Sequence, residues 1–385
     1  MHVYIKLFLH LFLVRETFQL ADFNMILSYT GSKRSLVGNL EHVIKPLIAH
    51  VEEKEKRKVV FGDLFCGSGF VSNHFKNCNG VGKVVSCDLE LYSYVLTFAL
   101  NKTVYTPRLA QLIDWLNSPY CQGVHGLISE HYAPHSKCNR MFFTYKNANM
   151  IDGIRIAIHN LFKKKQINFK EFMFLLASLI TSTSKIANTA GTFRAYLKHF
   201  CSRSLKRFVL LPIHKQTCQV KGHHVVKDDA TKYSKSGSIM LDIVYIDPPY
   251  NSNHYGAYYG FFNYLCMYDK NVEIKGVAGV MSKYNKSAYG FSNTAQVEFQ
   301  KLLGNLKDIA KTKYAIISYN NNGAINIRDL VSMGLKHGSV TLYKMWHKNY
   351  KPHGSIRMNH VTEYLFVIDM TETGKHIFKQ CWLKL

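Results

Sequence analysis

The segment VYIDPPYN, Val244 to Asn251, sets a carboxylate, two prolines and a tyrosine directly behind a run of β-branched and aromatic residues. Such a run reads as the end of a buried strand. Pro248 and Pro249 fix φ and cannot donate to a ladder, so the strand stops there. Asp247 and Tyr250 are therefore held in a stiff turn at the carboxyl end of a strand, where ligands bind in open α/β sheets. Asp247 and the Pro248 carbonyl are two acceptors aimed at one small volume, and the exocyclic amino group of a nucleobase carries two N–H donors. If both hydrogens are taken, the nitrogen can pyramidalise and its lone pair localise toward an electrophile. Tyr250 offers an aromatic face on which a base can stack, worth about 1–3 kcal/mol. A target inside a duplex must first be flipped out.

A second constellation lies upstream, in DLFCGSGFVS. Asp63 ends a strand, and Gly67 and Gly69 let the backbone approach a ligand at the start of a helix. The pattern lacks the third glycine of a dinucleotide fingerprint, and a tight strand–helix turn with no ligand remains the plainer reading. About twenty residues on, Asp88 in SCDLE stands where an acid accepts hydrogen bonds from ribose hydroxyls. Cys66 reads as packing rather than as a nucleophile. Asp228 and Asp229 fit either an adenine-contacting acid or a solvated turn. The aromatics of HYGAYYGFFNYL, His254 to Leu265, read mainly as core, with stacking or wedging into a flipped-out gap as the alternative.

These residues need a sheet to carry them. VVFGDLFCGSGFVSNHFK reads as strand, glycine turn and helix, and GKVVSCDLELYSYVLTFAL as a second strand and helix, a βαβ unit with an acid after the second strand. EEKEKRK, Glu52 to Lys58, is the exposed end of a helix begun near Leu36. Strands return with IMLDIVYID from Ile239, KYAIISYN (Lys313 to Asn320) and HVTEYLFVID (His360 to Asp369). The centre reads as mainly helical: Lys170 to Asn188 is apolar at helical spacing, and GTFRAYLKHFCSRSLKRF, Gly191 to Phe208, continues as a basic helix-like run. No internal repeat interrupts this order.

The chain has 385 residues and a formal net charge of +24. The excess concentrates in residues 101–240, which hold 21 Lys+Arg against 6 Asp+Glu. A basic central block suits an inserted nucleic-acid-binding region, though a solvated lysine-rich surface has the same composition. Arg194, Lys198, Arg203, Lys206 and Arg207 are the candidates for phosphate contact, with an exposed helix face as the alternative. Nine cysteines without a C-x-x-C pair point to reduced thiols in a cytoplasmic protein. CQVKGHH, Cys218 to His224, lacks the second ligand pair a zinc site needs. The apolar run Tyr4 to Val14 is interrupted by Lys6 and His10 and is too short to span a bilayer. Met25, opening MILSYTGSKRSL, is the expected natural start, with residues 1–24 an upstream extension or peripheral helix.

DPPY after a hydrophobic strand, with DLFCGSG upstream, resembles the amino-group DNA methyltransferases that use S-adenosylmethionine. YTGSK, Tyr29 to Lys33, is similar to the aromatic-x-Gly-x-Lys motif that opens Dam-type adenine methylases, and the motif order is that of their alpha group. ANTAGTFRAYLK, SYNNNG and VTEYLF also resemble segments of restriction–modification members, so the resemblance runs from about Met25 to Ile368.

The resemblance implies a Rossmann-like S-adenosylmethionine-dependent methyltransferase sheet of seven strands with an inserted, mainly helical recognition domain. The implied divisions are residues 25–103 for cofactor binding, 104–235 for the insert and 236–385 for catalysis. Tyr29, Gly31 and Lys33 would contact the cofactor, with Lys33 near its carboxylate. Asp63, Gly67 and Gly69 would line the methionine part, Asp88 would hold the ribose, and Asp247 would touch both cofactor and target. Asp247 at the first position of the motif favours adenine N6 over cytosine N4. Methyl transfer would be direct, without a covalent enzyme intermediate or a metal. The implied partners are duplex DNA and a cognate restriction endonuclease, with no membrane and a monomeric enzyme. A cytosine-N4 enzyme, an RNA methyltransferase and a non-catalytic DNA-binding relative are the other readings.

Overall fold

The computed structural model describes residues 33–121, 123–134, 139–217, 222–238, 240–251, 254–347, 361–372 and 376–383. Residues 1–24, the Met25 start, Tyr29, Gly31 and Cys218 lie outside the described residues. The described chain divides into two compact units, one of residues 31–101, 192–194 and 220–385, the other containing 102–191 and 195–219.

The first unit carries the sheet. Its strands in chain order are β1 (Val59–Asp63), β2 (Val81–Asp88), β3 (His224–Lys227), β4 (Ile243–Ile246), the short β5 (Ile274–Lys275) and β6 (Val280–Met281), then β7 (Tyr314–Asn320), β8 (Ser339–His347), β9 (Val361–Asp369) and β10 (Phe378–Leu383). Strands β5 and β6 form a separate antiparallel pair. The other eight make one sheet in the order β10-β8-β9-β7-β4-β1-β2-β3. It is parallel except at β9, which runs antiparallel to both β7 and β8. A doubly wound mixed sheet of this order has its topological switch between β1 and β4, so the crevice for a ligand opens at their carboxyl ends.

The central strands are apolar on both faces, as strands covered by crossover helices must be. All four residues of β4 are buried. Val244 and Ile246 join a core cluster with Phe299, Leu302, Leu303 and Leu306 of the helix Ser292–Asp308. Ile243 and Tyr245 alternate to the opposite face. Far from the crevice, Asp242 locks the entry to β4: it accepts from Arg57 at 2.7 and 2.8 Å, from the Val60 amide at 2.9 Å and from Lys313 at 3.0 Å. These contacts tie the starts of β1, β4 and β7 together. Burial would raise the pKa of Asp242, but Arg57, the Val60 amide and Lys313 hold it below the usual carboxylate value.

Two strands correct the sequence reading. The sheet has eight strands rather than seven, because Phe378–Leu383 adds an exposed edge beside β8. The segment His224–Lys227, assigned to the insert, pairs with β2 from Val85 to Asp88 and belongs to the sheet unit.

The second unit is built of helices, chiefly Pro107–Asn117, Leu127–Tyr132, Tyr145–Lys163 and Phe169–Ile186. Phe169–Ile186 opens with a capping box. The Asn168 side chain accepts from the Glu171 amide at 3.0 Å, and Glu171 accepts from the Asn168 amide at 2.8 Å. The following basic run is not the expected helix: only Ser202–Leu205 is helical within Gly191 to Phe208. Asn188 redirects the chain by donating to the Met141 and Leu197 carbonyls at 2.9 and 3.0 Å. No helix among the described residues is long and apolar enough to cross a membrane.

Candidate active site

Parallel pairing brings the acids together. Asp63 at the end of β1 stands beside Tyr245 of β4, two residues before Asp247. Asp88 ends β2 on the other side of β1. The turn between β1 and its helix is drawn to β2 when the Cys66 amide donates to the Cys87 carbonyl at 3.1 Å. It is fixed further by the Gly67 amide donating to Asp88 at 2.8 Å, while the Glu90 amide takes the other Asp88 oxygen at 2.9 Å. Gly67 and Gly69 have φ of 50° and 77°, the left-handed region that side chains other than glycine rarely adopt. A Cβ on Gly69 would meet Thr97 Oγ1 at 2.8 Å. The turn itself therefore favours glycine at both positions.

Asp63 is fully buried. One of its oxygens accepts from the Ser72 amide at 3.0 Å and the Ser72 hydroxyl at 2.6 Å, and the other has no hydrogen-bond partner. Burial pushes its pKa up to about 7 despite those two hydrogen bonds, helped by the negative charges of Asp247 and Asp88. Burial also raises Asp88. Glu90, pushed to about 7 by burial, is gripped by Asn263 of the helix Gly260–Met267.

The DPPY turn is braced from below and behind. The Ala324 amide, in the loop after β7, donates to the Tyr250 carbonyl at 2.7 Å. The Asn251 carbonyl lies 2.4 Å from where a Cβ on Gly290 would be, so only glycine admits the turn there. The Tyr250 ring meets Tyr319 edge-on at 5.8 Å. Lys33, 5% exposed, places its ammonium 3.1 Å from Asp247 and 5.7 Å from the centre of the Tyr250 ring. Burial raises the Asp247 pKa to about 6 against the lowering pull of Lys33. Burial of Lys33 is outweighed by Asp247 and Glu363, so its ammonium stays protonated well above the usual lysine value.

Glu363 is the residue the sequence reading gave no role. It lies on β9 beside Asn320, the last residue of β7, and is 3.9 Å from the Lys33 ammonium. Its signal in the sequence was an acid ahead of the apolar stretch YLFVI in the run VTEYLFVID.

Other expectations resolve as structure. Cys66 is buried beside Thr97, and burial with Asp88 and Asp63 raises its thiol far above the range of a nucleophile. Asp229 caps the helix Ala230–Lys235 by accepting from the Lys232 amide at 3.1 Å. Of the aromatic segment, Tyr259, Phe261, Phe262 and Tyr264 are core, whereas Tyr255 and Tyr258 are partly exposed. Arg194 stacks over Tyr258 at 5.3 Å, and Lys198, Lys206 and Arg207 are exposed. Arg203 instead donates to the Ala187 carbonyl at 3.1 Å and to that of Thr189, so its guanidinium holds the turn. His223 is buried, its Nδ1 accepting from the Val84 amide at 3.0 Å. Among the described residues Glu41, His74 and Cys78 bring possible metal-ligand atoms within 4.8 Å, but Lys45 already pairs with Glu41 at 2.8 Å.

The ends of β1, β2 and β4 therefore bring together a glycine turn, the carboxylates of Asp63, Asp88 and Asp247, and the Tyr250 ring beside Lys33. The chain is 31% identical over 353 residues to the type II methyltransferase M.NlaIII of Neisseria lactamica, covering 90% of this chain and 100% of that one. It is 33% identical to the type II methyltransferase M.CviAII of Paramecium bursaria Chlorella virus 1, covering 80% and 89%. A solved rRNA methyltransferase, aviRa from Streptomyces viridochromogenes, shares 11% identity over 82% of this chain and 77% of that one, with a TM-score of 0.24, too slight to bear on fold or substrate. Residues 29–333 match the model of the D12 class of N6 adenine-specific DNA methyltransferases, and the chain belongs to that family.

Proposed function

We propose that this adenine-N6 DNA methyltransferase takes S-adenosylmethionine as its donor, with the glycine turn and the acids of β1, β2 and β4 as the binding crevice. The observation that carries the reading is the unpartnered, buried oxygen of Asp63 beside a strand–helix turn held by two left-handed glycines. A cofactor bearing an amino group and a sulfonium suits three carboxylates at neighbouring strand ends, and Asp88 would accept from the ribose hydroxyls. S-adenosylmethionine, when bound, supplies a methyl group already activated on sulfur, so no metal is needed to create the electrophile.

The remaining work belongs to the chain. Tyr250 stacks the flipped base, while Asp247 and the Pro248 carbonyl accept the two amino hydrogens and leave the N6 lone pair facing the methyl group. Pro248 and Pro249 keep both acceptors in place by denying the turn other conformations. Asp247 accepts most strongly when ionised, the form the Lys33 ion pair favours. Exposed Lys198, Lys206 and Arg207, with Arg194, supply phosphate contacts that position duplex DNA. The helical unit serves as the recognition insert. The enzyme acts as a cytoplasmic monomer that protects one DNA sequence from a cognate restriction endonuclease.

Asp247→Ala tests the core of this reading. The variant should keep wild-type affinity for duplex DNA to within a few-fold, yet lose methyl transfer even at saturating S-adenosylmethionine. Transfer at more than a tenth of the wild-type rate would overturn the acceptor role.

A further inference from the structure

Lys33 is held from two strands at once. Its ammonium sits 3.1 Å from Asp247 after β4 and 3.9 Å from Glu363 on β9. The side chains of Lys33 and Glu363 are only 5% and 8% exposed, and that of Asp247 is 16% exposed. The Glu363 Oε2 that faces the ammonium is buried without a hydrogen-bond partner. A buried acid of this kind costs stability unless something in the protein uses its charge. Nothing in the packing of β9 requires it: Thr362, Glu363 and Tyr364 interrupt an otherwise apolar strand, and a hydrophobic residue would fill the place.

Resting on the function proposed above, we infer that Glu363 is a positioning residue for methyl transfer. It grips the Lys33 ammonium from the β9 side and keeps it against Asp247, so that Asp247 meets the target amino group as a fixed, ionised acceptor. Lys33 is then an internal counter-ion shared by two carboxylates rather than a group free to follow the carboxylate of a cofactor.

The arrangement makes opposite predictions for Lys33 and Glu363. Lys33 favours the ionised form of Asp247, whereas the negative charge of Glu363 disfavours it. The other groups that face Asp247 are Asp63 at the end of β1, Tyr245 within β4, Tyr250 in the turn and Tyr255 in the following helix. Asp63 also titrates near neutrality, but its perturbers are burial, Ser72, Asp247 and Asp88. An acid limb that follows Lys33 and Glu363 therefore reports Asp247.

The test is the pH profile of kcat/KM for methyl transfer by the full chain, measured for the wild type, Glu363→Gln, Glu363→Asp and Lys33→Met. The acid limb should move to lower pH in Glu363→Gln, stay in place in Glu363→Asp and move to higher pH in Lys33→Met. At the pH optimum Glu363→Gln should lower kcat at least tenfold, with the KM for S-adenosylmethionine within about threefold of wild type. Glu363→Asp, which keeps the charge, should recover part of that loss. If Glu363→Gln leaves the limb in place, or moves it in the same direction as Lys33→Met, the inference fails. It also fails if Glu363→Gln raises KM with kcat unchanged, because Glu363 would then serve cofactor binding. A wild type that binds S-adenosylmethionine but transfers no methyl group would refute the proposed function itself, a result separable from any effect of position 363. Should Glu363→Gln not fold, Glu363→Asp with Lys33→Met decides: limbs that coincide overturn the inference.

Discussion

Asp63→Asn should make the protein more stable and a poorer binder of its cofactor, and the gain should grow with pH. The wild-type carboxyl is raised from its ordinary 3.8 to about 7 because it is buried with one oxygen unpartnered. A carboxyl raised on folding imposes no penalty below its unfolded pKa. The penalty accumulates as pH rises between the two values and is complete above the folded one. A shift of this size corresponds to about 4 kcal/mol at pH 8, and to about 1–2 kcal/mol at pH 5. Asparagine has nearly the same shape, and its carbonyl can still accept from the Ser72 amide and hydroxyl. Thermal unfolding at pH 5 and pH 8 reads the difference directly. At pH 8 the variant should melt roughly 5–10 °C above the wild type, with a smaller gain at pH 5. Its affinity for S-adenosylmethionine should fall by roughly ten- to a hundredfold, the loss of a hydrogen bond to a charged group. A variant that melts lower than the wild type at pH 8, or whose gain is the same at both pH values, would refute the claim that an unpaired buried carboxyl is kept here for a ligand.

Asp242→Ala should cost about 1–3 kcal/mol in denaturant unfolding, because the Val60 amide loses its acceptor and Arg57 and Lys313 keep only Glu55 as an ion-pair partner among the described residues. The stabilisation from Asp242 is present above about pH 4, the ordinary carboxylate range, and fades as pH falls through its lowered folded pKa. Unfolding measured from pH 6 to pH 3 should therefore fall less steeply in the variant than in the wild type. Tyr250→Phe should retain most activity, whereas Tyr250→Ala should lose about 1–3 kcal/mol of base stacking, read as a loss in kcat/KM. Replacing Lys206 and Arg207 together by Gln should weaken binding to all duplexes and reduce the salt slope by about two. Arg203→Gln should instead lower the melting temperature, since its guanidinium holds the Ala187 and Thr189 carbonyls.

What the sequence disclosed was local. The DPPY turn, the glycine pair and Asp88 each announce themselves within a few residues, because proline and glycine state their backbone demands outright. Glu363 did not, because its meaning depends on an ammonium 330 positions away in the chain that only the fold of β9 against β7 brings near. The partner of Lys33 was missed for the same reason. Strand β3 is four residues long and flanked by histidines and acids, too short for periodicity to set it apart from a loop. Strand β10 exposes most of its side chains and gives no hydrophobic alternation against a core. The basic run from Gly191 lacks an apolar stripe, and the tertiary hydrogen bonds of Asn188 and Arg203 override its residual helical preference.

The most direct measurement is transfer of labelled methyl from S-adenosylmethionine to duplex DNA of mixed sequence, set against RNA, followed by nucleoside analysis. Label should appear in N6-methyldeoxyadenosine with the wild type and vanish with Asp247→Ala. Label in N4-methyldeoxycytidine or in RNA, or undiminished label with Asp247→Ala, would contradict the assignment of Asp247 as the acceptor that readies adenine N6.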